Sequence, residues 1–228
     1  LRKIIPENQM RLLKKWIILN LICSRIVNEK NREKIILNMT DKPRIAIDLD
    51  NVLLDSDSKI RQLIFEETGM ESTVNDITDY SYAKSLNLDS KTMKRVLDRF
   101  HLDLHLSALN PILGAQNAMS ILKLEYEPII VTSRPVDTYT ATEKSIKMWF
   151  GDIPLVHSNK KSDLCKKLKI ETIIEDHPDT AIQCAYNQIK VFLMDYPWNY
   201  PIVDGGLLTR VSNWDMIIDY LFTVYASK

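Results

Sequence analysis

The stretch Ile45-Ala46-Ile47-Asp48-Leu49-Asp50 constrains the fold of this chain more than any other. An apolar run with the composition of a buried strand ends in two aspartates one residue apart. Positions i and i+2 of a strand point to the same side, so Asp48 and Asp50 project together where the strand runs out. In an open parallel sheet that place is the ligand crevice, beyond the carboxyl ends of the strands. Two carboxylates so close repel each other unless a cation or a shared proton relieves them. Mg²⁺, a hard cation that prefers oxygen ligands, would do so. Taken alone, the stretch also fits a strand that simply runs into an acidic turn.

Later segments bear on the choice. Apolar runs at Pro128–Val131, Ile153–Val156, Glu171–Ile174 and Lys190–Asp195 read as further short strands. Between them lie helical patterns. One starts at Asn110-Pro111, an N-cap followed by proline, and runs to about Tyr126. A second ends at Phe150-Gly151, a third follows Lys161, a fourth starts at Pro178, and a last spans Ser212–Tyr225. Strands alternating with helices predict a parallel α/β sheet.

The strand ends carry polar groups in a definite order: Asp48 and Asp50, then Thr132-Ser133-Arg134, then Lys160-Lys161 at a helix start, then Glu175-Asp176. Hydroxyls and backbone amides at a strand end can hold a phosphate oxygen, and a nearby lysine can neutralise it. Each group is common on its own.

Between the first strand and the next sheet element lies an insert of about fifty residues, with helical spacing over Ser58–Thr68 and Ser90–His101. It is expected to form a helical cap over the crevice. Phe65, Tyr80, Tyr82 and Phe100 are its candidates for stacking on a ring, although any one of them more readily belongs to the cap's own core. His101 and His105 have metal-like spacing, but nothing nearby completes a ligand set, so they read as structural or surface residues.

Formal net charge is zero, so no global field directs the chain to nucleic acid or a membrane. Three cysteines at unrelated spacings (Cys23, Cys165, Cys184) argue against a disulfide framework or a zinc site and fit a reducing cytoplasm. Residues 1–38 differ from the rest, with nine Lys/Arg against three Glu, a net charge of +6. Their apolar run Trp16–Cys23 is shorter than the roughly 18 residues of a membrane span. They are expected to form a basic extension, helical or loosely ordered, without chemistry.

The order and spacing of the strand-end groups resemble the haloacid-dehalogenase-like superfamily of phosphohydrolases. Asp48-x-Asp50 looks like its first motif, Thr132 its second, Lys161 (or Lys160) its third and Glu175-Asp176 its fourth. Within it, the phrases Ile-Asp-Leu-Asp-Asn-Val-Leu, Val-Thr-Ser-Arg-Pro, Lys-Ser-Asp-Leu-Cys and Ile-Ile-Glu-Asp-His-Pro-Asp are most similar to the 5'(3')-deoxyribonucleotidase branch. One departure is Asn51, where many relatives carry glycine; both residues favour an unusual backbone turn.

The resemblance implies a three-layer Rossmann-like parallel sheet as catalytic core (39–55 and 109–228) and a small helical cap inserted after the first strand (56–108). It implies Asp48 as nucleophile, Asp50 as acid and base, and Thr132, Ser133 and Lys161 as phosphate-binding groups. Mg²⁺ would be held by Asp48, Asp176 and the Asp50 carbonyl, with Glu175 a neighbour or further ligand. The implied substrate is a small phosphate monoester, a nucleoside or deoxynucleoside monophosphate, with a sugar phosphate as the alternative. Carbon–halogen hydrolysis is disfavoured by Asp50, and a phosphate-accepting signalling module by the long insert. Oligomeric state has no signature in the sequence.

Overall fold

The first strand, β1 (Arg44–Ile47), lies in the middle of a six-stranded sheet. In a computed structural model, which describes residues 42–223, the strand order is β3-β2-β1-β4-β5-β6. The other strands are β2 (Glu127–Thr132), β3 (Leu155–His157), β4 (Thr172–Glu175), β5 (Lys190–Met194) and β6 (Leu208–Val211). Every pairing is parallel, with Ile47 opposite Ile130 of β2 on one side and Ile174 of β4 on the other. The apolar runs are continuous because both faces of the sheet are covered: Ile45–Ile47 and all of β2 are buried. The chain moves from β1 through β2 to β3, then crosses back to β4 on the far side of β1. Strand order reverses at β1, which makes its carboxyl end the crevice of the sheet.

The helices are α1 (Ser56–Thr68), α2 (Tyr82–Ser85), α3 (Ser90–Phe100), α4 (Asp103–Leu106), α5 (Ala115–Glu125), α6 (Tyr139–Phe150), α7 (Lys161–Lys167), α8 (Pro178–Tyr186) and α9 (Trp214–Thr223). Right-handed crossovers put α5 and α6 on one face of the sheet and α7 and α8 on the other. The packing agrees: α5 touches β2, α6 and α9, whereas α7 packs on α8, and α8 on β4 and β5. Trp214, fully buried, ties α9 to the loop after β1 by donating its indole N–H to the Val52 carbonyl at 2.9 Å.

The helical signals of the insert hold. Asp55 caps α1 through the Ser58 amide, and Gly69 ends that helix in the left-handed conformation at φ 73°. Asp89 caps α3 through the amides of Lys91 and Thr92. α1 and α3 pack on each other through Ile60, Leu63, Ile64, Met93, Val96 and Phe100.

One expectation is corrected and one element is added. Asn110-Pro111 does not start a helix, which begins instead at Ala115 after Gly114 at φ 85°. Residues 110–112 are taken up in pairing with the exit from β1: the Asn110 carbonyl accepts from the Asp55 amide, the Ile112 amide donates to Leu53, and Pro111 bridges Leu54. A side chain at Gly114 would approach the Trp214 Cβ to 3.3 Å, so the turn is fixed by tertiary contact. In addition, Leu208–Val211, not read as a strand from sequence, forms the edge strand β6. The expected basic extension 1–38, with Trp16–Cys23, lies outside the described residues. No described helix is long and apolar enough to cross a membrane.

Candidate active site

Asp48 and Asp50 leave the end of β1 as its spacing requires, and each meets its own cation. The Asp48 carboxylate is buried, 2.7 Å from Lys161 Nζ. Lys161 also reaches Glu175 Oε2 at 2.9 Å. Lys161 opens α7 and is buried, whereas Lys160 before it is exposed and lines a separate surface groove between α7 and α8. Burial alone would discharge Lys161, but the charges of Asp48 and Glu175 outweigh it and hold the ammonium well above its ordinary pKa.

The second cation is Arg134, in the turn after β2. Its Nε donates to Asp50 Oδ2 at 2.9 Å and its Nη2 to Oδ1 at 2.6 Å. Ser56 at the start of α1 donates its hydroxyl to the same oxygen. Burial raises the Asp50 pKa, but the Arg134 charge, its hydrogen bonds and the Ser56 hydroxyl prevail, and Asp50 is held below the usual carboxylate range.

Glu175 and Asp176 end β4 beside β1. Glu175 accepts from Lys161 and the His177 amide, so both of its oxygens are engaged. Asp176 is fully buried. Its Oδ2 accepts from the Asn51 side chain at 3.2 Å, and its Oδ1 has no hydrogen-bond partner. Burial and the nearby Asp48 charge push the Asp176 pKa well up; burial and Glu175 do the same to Asp48. Asn51 adopts φ 59°, the turn anticipated for it, and uses its amide to hold Asp176 and the Asp57 amide. Asn199, fully buried, braces Asp176 from behind through its carbonyl at 2.9 Å.

One ligand oxygen each from Asp48, Glu175 and Asp176 lies within 4.8 Å of the others, the one such acidic group of three or more found among the described residues. Four carboxylates (Asp48, Asp50, Glu175, Asp176) face two cations (Lys161, Arg134), leaving two negative charges in excess. An orphaned buried oxygen on Asp176 and a deficit of two positive charges fit a divalent cation.

Thr132, fully buried at the end of β2, accepts from the Arg134 amide, and Ser133 is exposed at the crevice rim with its hydroxyl toward the Ser158 carbonyl. Above these groups opens a cavity of about 650 Å³. Its floor includes Asp48, Asp50, Arg134 and Lys161, with Ser133 at its edge. Its upper wall comes from the insert, through Ile60, Tyr80, Tyr82, Met93, Leu97 and Phe100. The Tyr80 ring lies 3.9 Å from the His177 ring, and the Tyr82 hydroxyl donates to Asp57.

Of the four aromatics singled out by sequence, Phe65 is outside this cavity: it lies half-exposed on the far side of α1. His101, expected to be structural or on the surface, is half-buried and lines the cavity. Trp198, in the turn after β5, lines it too, with no signal in the sequence to mark it. Arg134 was legible only as a cation at a strand end, since its partner Asp50 lies 84 residues away.

A solved structure of a predicted phosphatase from Clostridium acetobutylicum superposes with a TM-score of 0.57 at 17% identity, covering 81% of this chain and all of that one. A haloacid-dehalogenase-like protein from Agrobacterium tumefaciens superposes with a TM-score of 0.59 at 12% identity, covering 81% and 99%. These establish the fold. In sequence, a nucleotidase of Clostridium acetobutylicum is 24% identical over 185 residues, 78% of this chain and 94% of that protein. The family model described as 5' nucleotidase, deoxy (pyrimidine), cytosolic type C protein matches residues 42–227. The chain therefore belongs to the cytosolic type C 5'-nucleotidase family, phosphatases built on the haloacid-dehalogenase-like fold.

Proposed function

We propose that the chain is a Mg²⁺-dependent phosphomonoesterase that hydrolyses nucleoside or deoxynucleoside monophosphates through an aspartyl phosphate. The observation that carries the reading is the division of labour at the end of β1, with Asp48 held by Lys161 and Asp50 by Arg134 on the floor of one cavity. Asp48 attacks phosphorus as the bond to the leaving oxygen breaks, and Asp50, once it has taken up a proton against the pull of Arg134, gives that oxygen the proton. In the second half Asp50 takes a proton from water as the water attacks the acyl phosphate, releasing phosphate and restoring Asp48. Thr132 and Ser133 hydrogen-bond the transferring oxygens, and Lys161 neutralises Asp48 and phosphate together. Mg²⁺, held by Asp48, Asp176 and the Asp50 carbonyl, would supply charge neutralisation at the phosphoryl group; Glu175, already engaged by Lys161, orients the set. Residues 56–108 act as the cap, excluding water from a core made by 39–55 and 109–228. Two buried free thiols, Cys165 and Cys184, support a reducing, cytoplasmic setting.

The metal has a readout apart from turnover. Adding Mg²⁺ to metal-stripped protein at a hundredfold excess over its Kd raises the melting temperature by about 5–10 °C. Asp176→Asn removes most of that shift. An equal shift in the variant would take Asp176 out of the ligand set.

Substrate class rests on the apolar and aromatic wall of the cavity, more than a sugar phosphate needs. Across a panel of phosphate monoesters, kcat/KM for nucleoside monophosphates should exceed that for sugar phosphates by about tenfold to a hundredfold, the worth of one base–aromatic stack. Tyr80 is the aromatic to test: its ring backs onto His177 and 40% of the residue remains exposed. Tyr80→Leu should narrow the gap while turnover of a generic aryl phosphate survives. Sugar phosphates outrunning every nucleotide would leave only a phosphatase of the alternative kind.

A further inference from the structure

We propose that Arg134 is a positioning residue that orients the Asp50 carboxylate toward the leaving group. The inference rests on the phosphatase reading above, in which Asp50 handles the leaving oxygen.

The contact is a fork. Nε and Nη2 of one planar guanidinium reach the two oxygens of one carboxylate, at 2.9 and 2.6 Å. A bidentate pair fixes the plane of the carboxylate as well as its charge, and Ser56 adds a third hydrogen bond at Oδ1. The rotation that would turn Asp50 away from the cavity breaks all three.

Arg134 is itself pinned. Its amide donates to Thr132 Oγ1 at 3.2 Å, its carbonyl lies 2.9 Å from His157 Nδ1, and its Nη1 donates to Thr142 Oγ1 at 3.3 Å. The guanidinium carbon stands 5.8 Å from the centre of the Phe100 ring, on the helix that walls the cavity. Only 5% of the residue is exposed. This is a built-in support, not a surface arginine resting on an acid. Lys161 cannot replace it, because its ammonium is committed to Asp48 and Glu175.

The role predicts a signature. An alkoxide is a poor leaving group and needs a well-aimed proton donor, whereas a nitrophenolate leaves with little help. Misdirecting Asp50 therefore slows alkyl phosphates more than aryl phosphates. Arg134→Lys is the discriminating variant, since it keeps the charge and loses the fork. The experiment measures kcat and KM on the fastest alkyl phosphate of the panel and on p-nitrophenyl phosphate. It compares wild type, Arg134→Lys, Asp50→Asn and the double variant, with melting curves to show that each is folded. In Arg134→Lys, kcat for the alkyl substrate should fall about tenfold to a hundredfold further than for the aryl one, with KM little changed. In the Asp50→Asn background the same substitution should leave the alkyl-to-aryl ratio where it is. An unchanged ratio in Arg134→Lys, or a KM rise with kcat preserved, overturns the positioning role and leaves Arg134 as bulk charge or a phosphate contact. Wild-type protein that turns over neither substrate defeats the phosphatase reading itself, a distinguishable result.

Discussion

In Asp48→Asn, turnover of every phosphate monoester falls by about 10⁴-fold or more, while the protein stays folded. The rate loss follows from chemistry: an amide cannot take over the attack of a carboxylate on phosphorus. Retained folding follows from geometry. Asparagine is nearly isosteric, and its amide oxygen can keep the bond from the Leu49 amide that Asp48 Oδ1 accepts at 2.7 Å. The substitution also removes a buried negative charge that Glu175 repels and burial disfavours, so without divalent cation the variant should melt no lower than wild type. Steady-state assays beside thermal melts check both halves. Near-normal turnover in Asp48→Asn would falsify the covalent mechanism.

Lys161→Met has the second-largest effect, and it acts on stability as well as on rate. Removing the ammonium leaves Asp48 and Glu175 buried with no partner of opposite charge, a loss of roughly 3–5 kcal/mol. Lys160→Ala, one residue away at an exposed position, should change stability by no more than about 0.5 kcal/mol and leave turnover intact. Because Lys161→Met could fail through instability alone, Lys161→Met/Glu175→Gln separates the causes. Taking away one charge of each sign restores much of the stability, yet phosphate still lacks its ammonium. Chemical denaturation should therefore show recovery in the double variant, and single-turnover assays should not. A larger activity loss in Lys160→Ala than in Lys161→Met would reverse the assignment of the two lysines.

Local patterns carried most of the core. The runs at β1, β2, β4 and β5 are apolar on both faces, so strand and burial could be read together, and the groups at their ends converge because parallel strands share a carboxyl edge. What failed to show was pairing at long range. Asn110-Pro111 has the chemistry of a helix start, but the backbone there pairs with Leu53–Asp55. β6 is four residues long with two half-buried positions, too short and mixed to stand out. Arg134 is one cation in a turn until Asp50 is seen across from it. Phe65 and Phe100 have similar standing in the sequence, yet they lie on opposite sides of the α1–α3 pair, one at the surface and one at the cavity.

The chain departs for the insert and returns through one doorway: Asp55 and Asn110 are joined amide to carbonyl at 2.8 Å, and Ile112 and Leu53 at 2.9 Å. Everything between is a loop whose ends are already tied, and lengthening a closed loop costs little, about 0.6 kcal/mol per doubling. Insertions and deletions beyond the first turn of α1 therefore leave the β1–β2 register undisturbed, whereas Ser56 and Asp57 have to stay, because they hold Asp50 and Asn51 at the strand end. Such a molecule can change clientele without relearning its trade: a donor segment spliced in beyond that first turn inherits working chemistry, and drift in the segment explores new substrates while the sheet below stays still.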